Sequence, residues 1–384
     1  MISKLRVIVT GLMAQYPLGG VAWDYLQYVL GLKHLGHDVY YIEDSGQWPY
    51  NPLDGGTADN CSYNVQYLAD LMDRFDLADK WAYCFAWQSQ WFGISEARRA
   101  EIIQSADIII NVSGSLQRPW EYGKAKNLVY IDSDPVFTQI KLARGQKDFR
   151  KMIDVHDVHF SFGEAFSEDI PATGHNWLPT RQPIVLSEWN SGTGPRSVFT
   201  TVMNWTSHND VVYKGQTYGQ KDIEFKRFVD LPLRVAPTVF EIAVNRGKTR
   251  HTPHDLLSYK GWRVVDPEKV CPDLDSYRTY IRSSAAEWSV AKNGYVSGQP
   301  GWFSCRSACY LAAGRPVVVQ DTGFSKVLPV GAGILSFRKI EEAADAVQGV
   351  QSNYARHAKA AREIAEEYFD SDNVLTKLIM DAFK

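Results

Sequence analysis

Residues 301–324 read GWFSCRSACYLAAGRPVVVQDTGF, and this stretch decides the fold. Gly301 opens it, helix-compatible residues run to Gly314, and Pro316 turns the chain into Val317, Val318 and Val319. The strand then stops in a polar loop, Asp321-Thr322-Gly323. An apolar run of this kind between turn residues is what a strand buried on both faces of a parallel sheet requires. The helix before it begins with N–H groups that have no intrahelical partner and carry partial positive charge, so phosphate oxygens are bound there.

The same grammar extends in both directions. LRVIVTGL (5–12) is an apolar run of strand length, and Tyr16-Pro17-Leu18-Gly19-Gly20 is a loop. Apolar residues then recur at helical spacing from Val21 to Leu35, and DVYYIED (38–44) starts the next strand. That is a βαβ unit. A helix is expected over 61–75, strands over 106–115, 127–135 and 158–166, and a helix over 136–152. Four prolines and three glycines between 171 and 196 mark a break. A second series follows: a strand at 197–205, a helix from about 219, strands near 235–244 and 262–266, one helix over 274–290, then the opening stretch and further helix at 339–350 and 353–384. The expected fold class is α/β, with two Rossmann-like doubly wound domains facing across a cleft. The division is 1–175, a linker at 176–196, a second domain at 197–365, and a terminal helical segment at 366–384 returning toward the first domain.

Composition narrows the function classes. With 45% hydrophobic and 22% charged residues and a net charge of −3, no global basic field points to nucleic acid or an anionic membrane. The first half is net negative and the second net positive, which suits an anionic ligand in the second. Five cysteines, Cys61, Cys84, Cys271, Cys305 and Cys309, form no C-x-x-C pair and read as reduced thiols. The N-terminus has no signal-peptide pattern and no apolar run reaches the roughly 20 residues of a membrane span, so a cytoplasmic protein without a membrane partner is expected.

Two Rossmann-like domains, a linker and a helical tail resemble the GT-B glycosyltransferases that use nucleotide sugars. The specific match is the glycine-bearing loop and helix at 301–307, followed by Ala313-Gly314-Arg315-Pro316-Val317-Val318. The second domain is similar to that of family 4, without its pair of glutamates: no acid stands between Glu287 and Asp321. The resemblance implies a metal-independent transferase with no bound cofactor, taking a nucleoside diphosphate sugar, a UDP-sugar first of all, as co-substrate. The implied acceptor is a hydroxyl on a small molecule or glycan. A hydroxylated DNA base is the alternative, since Lys141, Arg144, Lys147 and Lys151 lie near one helical face. A non-catalytic sugar-nucleotide-binding protein and an epimerase are the other readings. Oligomeric state is not fixed by the sequence.

Candidate site residues follow from position and chemistry. Trp302, Ser304, Arg306 and Ser307 sit at the helix start, where hydroxyls and a guanidinium meet phosphate. Asp321 ends the strand after it. Gly19 and Gly20 would let backbone approach the donor. Trp205, Thr206 and Ser207 leave the first strand of the second domain, Lys221 opens its next helix, and Arg263 lies on an edge strand expected near the base. For removal of the acceptor proton, strand-end acids are expected: Asp132 first, then Asp134 and Glu164. Helix capping is the competing role for Asp134. Asp24 reads as a charge near a helix start. His156, His159 and His175 read as structural.

Overall fold

The structure is a computed structural model describing residues 3–190, 196–247 and 249–384. The N-terminal sheet has eight strands: β1 (Arg6–Thr10), β2 (Asp38–Glu43), β3 (Trp81–Phe85), β4 (Gln90–Gly93), β5 (Ile108–Val112), β6 (Leu128–Asp132), β7 (Val158–Ser161) and β8 (Trp177–Pro179). Their order is β8-β7-β6-β5-β1-β2-β3-β4. All neighbours run parallel except the β3–β4 hairpin. The C-terminal sheet has six: β9 (Val198–Met203), β10 (Val239–Val244), β11 (Trp262–Val265), β12 (Ala286–Ser289), β13 (Val317–Gln320) and β14 (Ile334–Phe337). Their order, β11-β10-β9-β12-β13-β14, is wholly parallel. In such sheets the connections diverge where the order reverses, here β1/β5 and β9/β12, and a crevice opens at the carboxyl ends of those strands.

One apolar cluster runs through both halves. It joins Trp23 and Tyr28 of α1 (Gly19–His34) to Leu274, Tyr277 and Ile281 of α3 (Leu274–Ser283) and Tyr310 of α4 (Cys305–Ala312). A second helix, α2 (Lys221–Phe225), opens the chain's path between β9 and β10. Trp23 donates its indole N–H to the Leu274 carbonyl at 2.9 Å. The terminal helix α5 (Ser371–Ala382) lies on α1, where a Cβ on Gly31 would stand 2.6 Å from the Leu375 side chain. Ile184 and Ser371 tie the two crossings together by backbone hydrogen bonds, Ile184 to Phe369 and Ser371 to Ile184.

Three expectations change. The single helix over 274–290 ends at Ser283, and 286–289 is instead strand β12 in the middle of the C-terminal sheet. Ala-Ala-Glu-Trp has helical propensity, but pairing with β9 and β13 on either side overrides it. The helix over 136–152 is two helices, Phe137–Ala143 and Lys147–Asp154, with Gly145 at φ +69° between them. The 176–196 stretch begins with β8, so the N-terminal sheet extends past 175; residues 191–195 lie outside the described residues. No helix among the described residues is long and apolar enough to cross a membrane.

Candidate functional site

Ser304 caps α4 in an extended conformation and its side chain does not cap the helix, so the first-turn N–H groups face outward. They adjoin a recess lined by Ser289 and Ala291 at the end of β12, Gln320 and Thr322 at the end of β13, and Trp302 and Ser304. This is the carboxyl-end crevice of the C-terminal sheet. Gly301 can enter it only with φ +82°, and a Cβ there would stand 2.6 Å from the Ala165 backbone of the other domain.

Arg306 lies at the back of the recess, and its guanidinium is already engaged. Nε donates to Glu287 Oε1 at 2.6 Å, and the terminal nitrogens to the Val202 carbonyl and Ser289 Oγ at 2.7 Å each. Burial works against its charge, but Glu287 offsets that and the pKa stays raised. Three of its five N–H donors are spent in fixing β9, β12 and α4 together, and its charge is compensated by Glu287. Ser307 Oγ and the second oxygen of Glu287 are buried with no partner. Trp302 stacks on Tyr295 at 4.3 Å, and its indole N–H is likewise buried without an acceptor.

The uncompensated cation is Lys221. Among the described residues it has no hydrogen bond or ion pair to its ammonium. Its pKa is driven well below the ordinary lysine range by burial and then by the neighbouring charges of Arg306 and Lys292, with Glu287 opposing. Lys292 is paired across the domains with Asp134 at 2.8 Å. Arg306 and Lys292 are each met by a carboxylate and Lys221 is not, so an anion at the helix start would favour its charged form.

The strand-end acids are differently employed. Asp132 is 1% exposed and accepts from the Asp134 N–H and from Thr138, Gln139 and Ser161 side chains at 2.7–3.1 Å. Its carboxylate turns back into the sheet to hold the following turn, and burial raises its pKa. Asp134 binds Lys292 and the Tyr295 hydroxyl; burial tends to raise its pKa, but those partners hold it lowered. Glu164 is buried against Arg181. Asp24, one turn into α1, is the acid that sequence reasoning passed over. Among the described residues its carboxylate has no hydrogen bond or ion pair, and burial raises its pKa to about 7 against the pull of Arg306.

Other expected ligands have structural partners. Gly19 and Gly20 admit α3 and not a ligand: a Cβ on Gly19 would meet the Asp273 carbonyl at 2.1 Å, and one on Gly20 the Tyr277 ring at 3.1 Å. Trp205 is in the core against Phe225, 5.2 Å between centroids. Thr206 is bonded to the backbone of Thr249 and Arg250, and the Ser207 N–H donates to Gln220 Oε1 at 3.3 Å. Arg263, exposed on the edge strand β11, pairs with Glu241 of the neighbouring β10. Asp321 is held by Arg338, Ser325 and the Gly323 N–H. Lys141 and Lys151 lie over Phe149 and Trp120.

The place of Glu287 in the sheet was hidden by reading 274–290 as helix. AEWS is buried along its whole length, so this four-residue strand offers no period-two alternation to read.

Two facing Rossmann-like domains, with a carboxyl-end crevice in the second and a terminal helix returning to the first, define the GT-B fold. No family model and no curated protein match the chain by sequence. Solved structures match it over its length. An alpha-glucosyltransferase in complex with UDP and a 13-mer DNA containing a central A:G mismatch has a TM-score of 0.61 at 13% identity, covering 99% of this chain and 100% of that one. An alpha-glucosyltransferase in complex with UDP-glucose and DNA containing an abasic site has 0.58 at 12%, covering all of both chains. Anabaena HepE in complex with UDP has 0.55 at 12%, covering 98% of each. The fold of this chain is that of these glycosyltransferases.

Proposed function

We propose that the chain is a glycosyltransferase that moves a sugar from a UDP-sugar to a hydroxyl acceptor. The observation that carries this reading is the uncompensated Lys221 beside the outward-facing start of α4, with the unpartnered Ser307 hydroxyl behind it. The diphosphate lies across the α4 N–H groups, and Lys221 takes up its charge. The uridine preference rests on the UDP and UDP-glucose bound in structures that share the fold.

In the transfer, the bond from the anomeric carbon to the β-phosphate oxygen breaks and a bond to the acceptor oxygen forms. UDP leaves with its negative charge held by the helix start and Lys221. The acceptor proton passes to Asp24, whose pKa near 7 matches that of an effective base at neutral pH. Asp132, Asp134 and Glu164 hold structure in this scheme. The acceptor is a small molecule or glycan, because the N-terminal domain is net acidic.

Titration with UDP, GDP, ADP and TDP by calorimetry tests the donor site: UDP binds in preference, and Lys221→Ala weakens it by about tenfold or more. Release of UDP from a UDP-sugar with an acceptor present, lost by about 10²–10⁴ in Asp24→Asn at unchanged UDP affinity, tests the base. No binding of any of the four diphosphates would overturn the reading.

A further inference from the structure

Two tryptophans stand out of the N-terminal domain where its strands end. Trp48 is 41% exposed and Trp87 65%, and their ring centroids are 4.6 Å apart at a tilt of 36°. Trp48 follows the end of β2, and Trp87 sits in the tight β3–β4 hairpin, which turns through Ser89 at φ +51°. Adjacent strands thus bring the two indoles to the carboxyl-end rim of the sheet, beside the β1 loop that leads into α1.

The pair is held in place from below. Trp48 meets Phe85 edge-on at 6.4 Å, and its carbonyl accepts from the Gln15 side chain, which Ser45 orients at 3.0 Å. Next to it, the Tyr50 hydroxyl reaches the C-terminal domain at Glu268, 2.7 Å away, so this rim borders the interdomain cleft.

The two loops are themselves uncharged, with Arg99 over the Trp91 ring and Glu268 at Tyr50 as charged neighbours. Residues 45–51 (SGQWPYN) and 86–91 (AWQSQW) contain no charged side chain. Gln47, Gln88 and Gln90 are exposed, and among the described residues their side-chain amides bond to nothing within the chain. Each amide offers both a donor and an acceptor to a ligand hydroxyl.

From this we propose that Trp48 and Trp87 form a stacking platform for a neutral pyranose ring, so that the acceptor is a glycan bound here. The axial C–H bonds of a pyranose carry partial positive charge and pack on the negative face of an indole. Its equatorial hydroxyls point outward, where the glutamine amides lie. Nucleic acid would also stack on aromatic rings, but it needs neighbouring cations for its phosphates, and neither loop has one. A protein partner is disfavoured by size: two aromatic side chains offer about 150–250 Å² each, against the roughly 800 Å² per partner of a stable interface.

The assignment of the glycan as acceptor rests on the transferase reading; the platform itself does not. The test is titration of the full chain with cello-, malto-, xylo- and chitotetraose and with a dT₁₂ oligonucleotide, read by tryptophan fluorescence and calorimetry, with UDP binding measured in parallel. At least one tetraose binds with a fluorescence change, Trp87→Ala and Trp48→Ala each weaken it by about tenfold, Trp87→Phe retains most of it, and UDP affinity is unchanged in all three. A tetraose that binds with these losses while UDP does not bind would sustain the platform and sink the transferase reading. No tetraose binding to a chain that binds UDP, tetraose binding indifferent to both alanine variants, or dT₁₂ binding lost with the tryptophans would each overturn the proposal.

Discussion

Arg306 and Glu287 face each other at 2.6 Å in a dry part of the C-terminal domain, Glu287 with no exposure at all. The pair joins the first turn of α4 to β12 and, through the Val202 carbonyl, to β9. It positions the helix start that would meet a diphosphate without spending its charge on the ligand.

Removing one member leaves the other buried and unpaired. Arg306→Ala is therefore expected to cost about 3–5 kcal/mol in urea unfolding, and the double variant Arg306→Met, Glu287→Leu to recover much of that loss. Equal destabilisation of single and double variants would mean the pair is not coupled.

Lys221 is held against its own charge, so its folded pKa is lowered and the folded state disfavours its charged form. The stability gained by removing it is largest below the folded pKa, shrinks as pH rises through that value, and is gone above the unfolded lysine pKa. Lys221→Met should raise the ligand-free Tm at pH 7 by about 2–4 °C while weakening UDP binding. In wild type, UDP binding should take up protons, visible as a calorimetric heat that changes with buffer ionisation enthalpy.

Asp24 has the opposite effect on pH dependence. A carboxyl raised to about 7 by burial keeps its proton longer when folded, so its contribution is full below the unfolded pKa and is lost as pH rises toward 7. Asp24→Asn should flatten the decline in Tm between about pH 4 and 7 and raise Tm at pH 8 by about 2–4 °C. Glu43, also raised to about 7 by burial, remains and preserves part of the slope.

Asp132→Ala strands the side-chain donors of Thr138, Gln139 and Ser161. Each buried orphan costs about 1–3 kcal/mol, so unfolding should show a severe loss of stability. UDP release by the folded fraction should stay within about tenfold of wild type, since a proton-transfer role is worth 10² or more. A larger drop in turnover at intact stability would restore Asp132 as the base.

Gly19→Ala places a methyl 2.1 Å from the Asp273 carbonyl. Overpacking of this kind costs about 1–3 kcal/mol, and here it separates α1 from α3, so small-angle scattering should show a more open molecule.

The sequence by itself determined most of the strands, the two-domain order and the helix start at Ser304, while β3, β4, β8 and β14 were not read from it. Those signals are local: Val317 to Val319 between turn residues, LRVIVTGL before a helical period, Gly314 at φ +66° where only a turn will do. It did not reveal β12, because four residues with helical propensity become a strand only when β9 and β13 lie on either side. Nor did it separate working side chains from structural ones. Arg306 and Asp132 carry the right chemistry at the right strand or helix end, yet each is consumed by partners brought from other elements, Glu287 and Val202 for one, Ser161 for the other. Lys221 and Asp24 look ordinary in the chain and become distinctive only where folding partly buries them with no partner among the described residues. Position along a strand is written in local pattern; whether a charge is spent or free depends on what the rest of the chain places within about 3 Å of it.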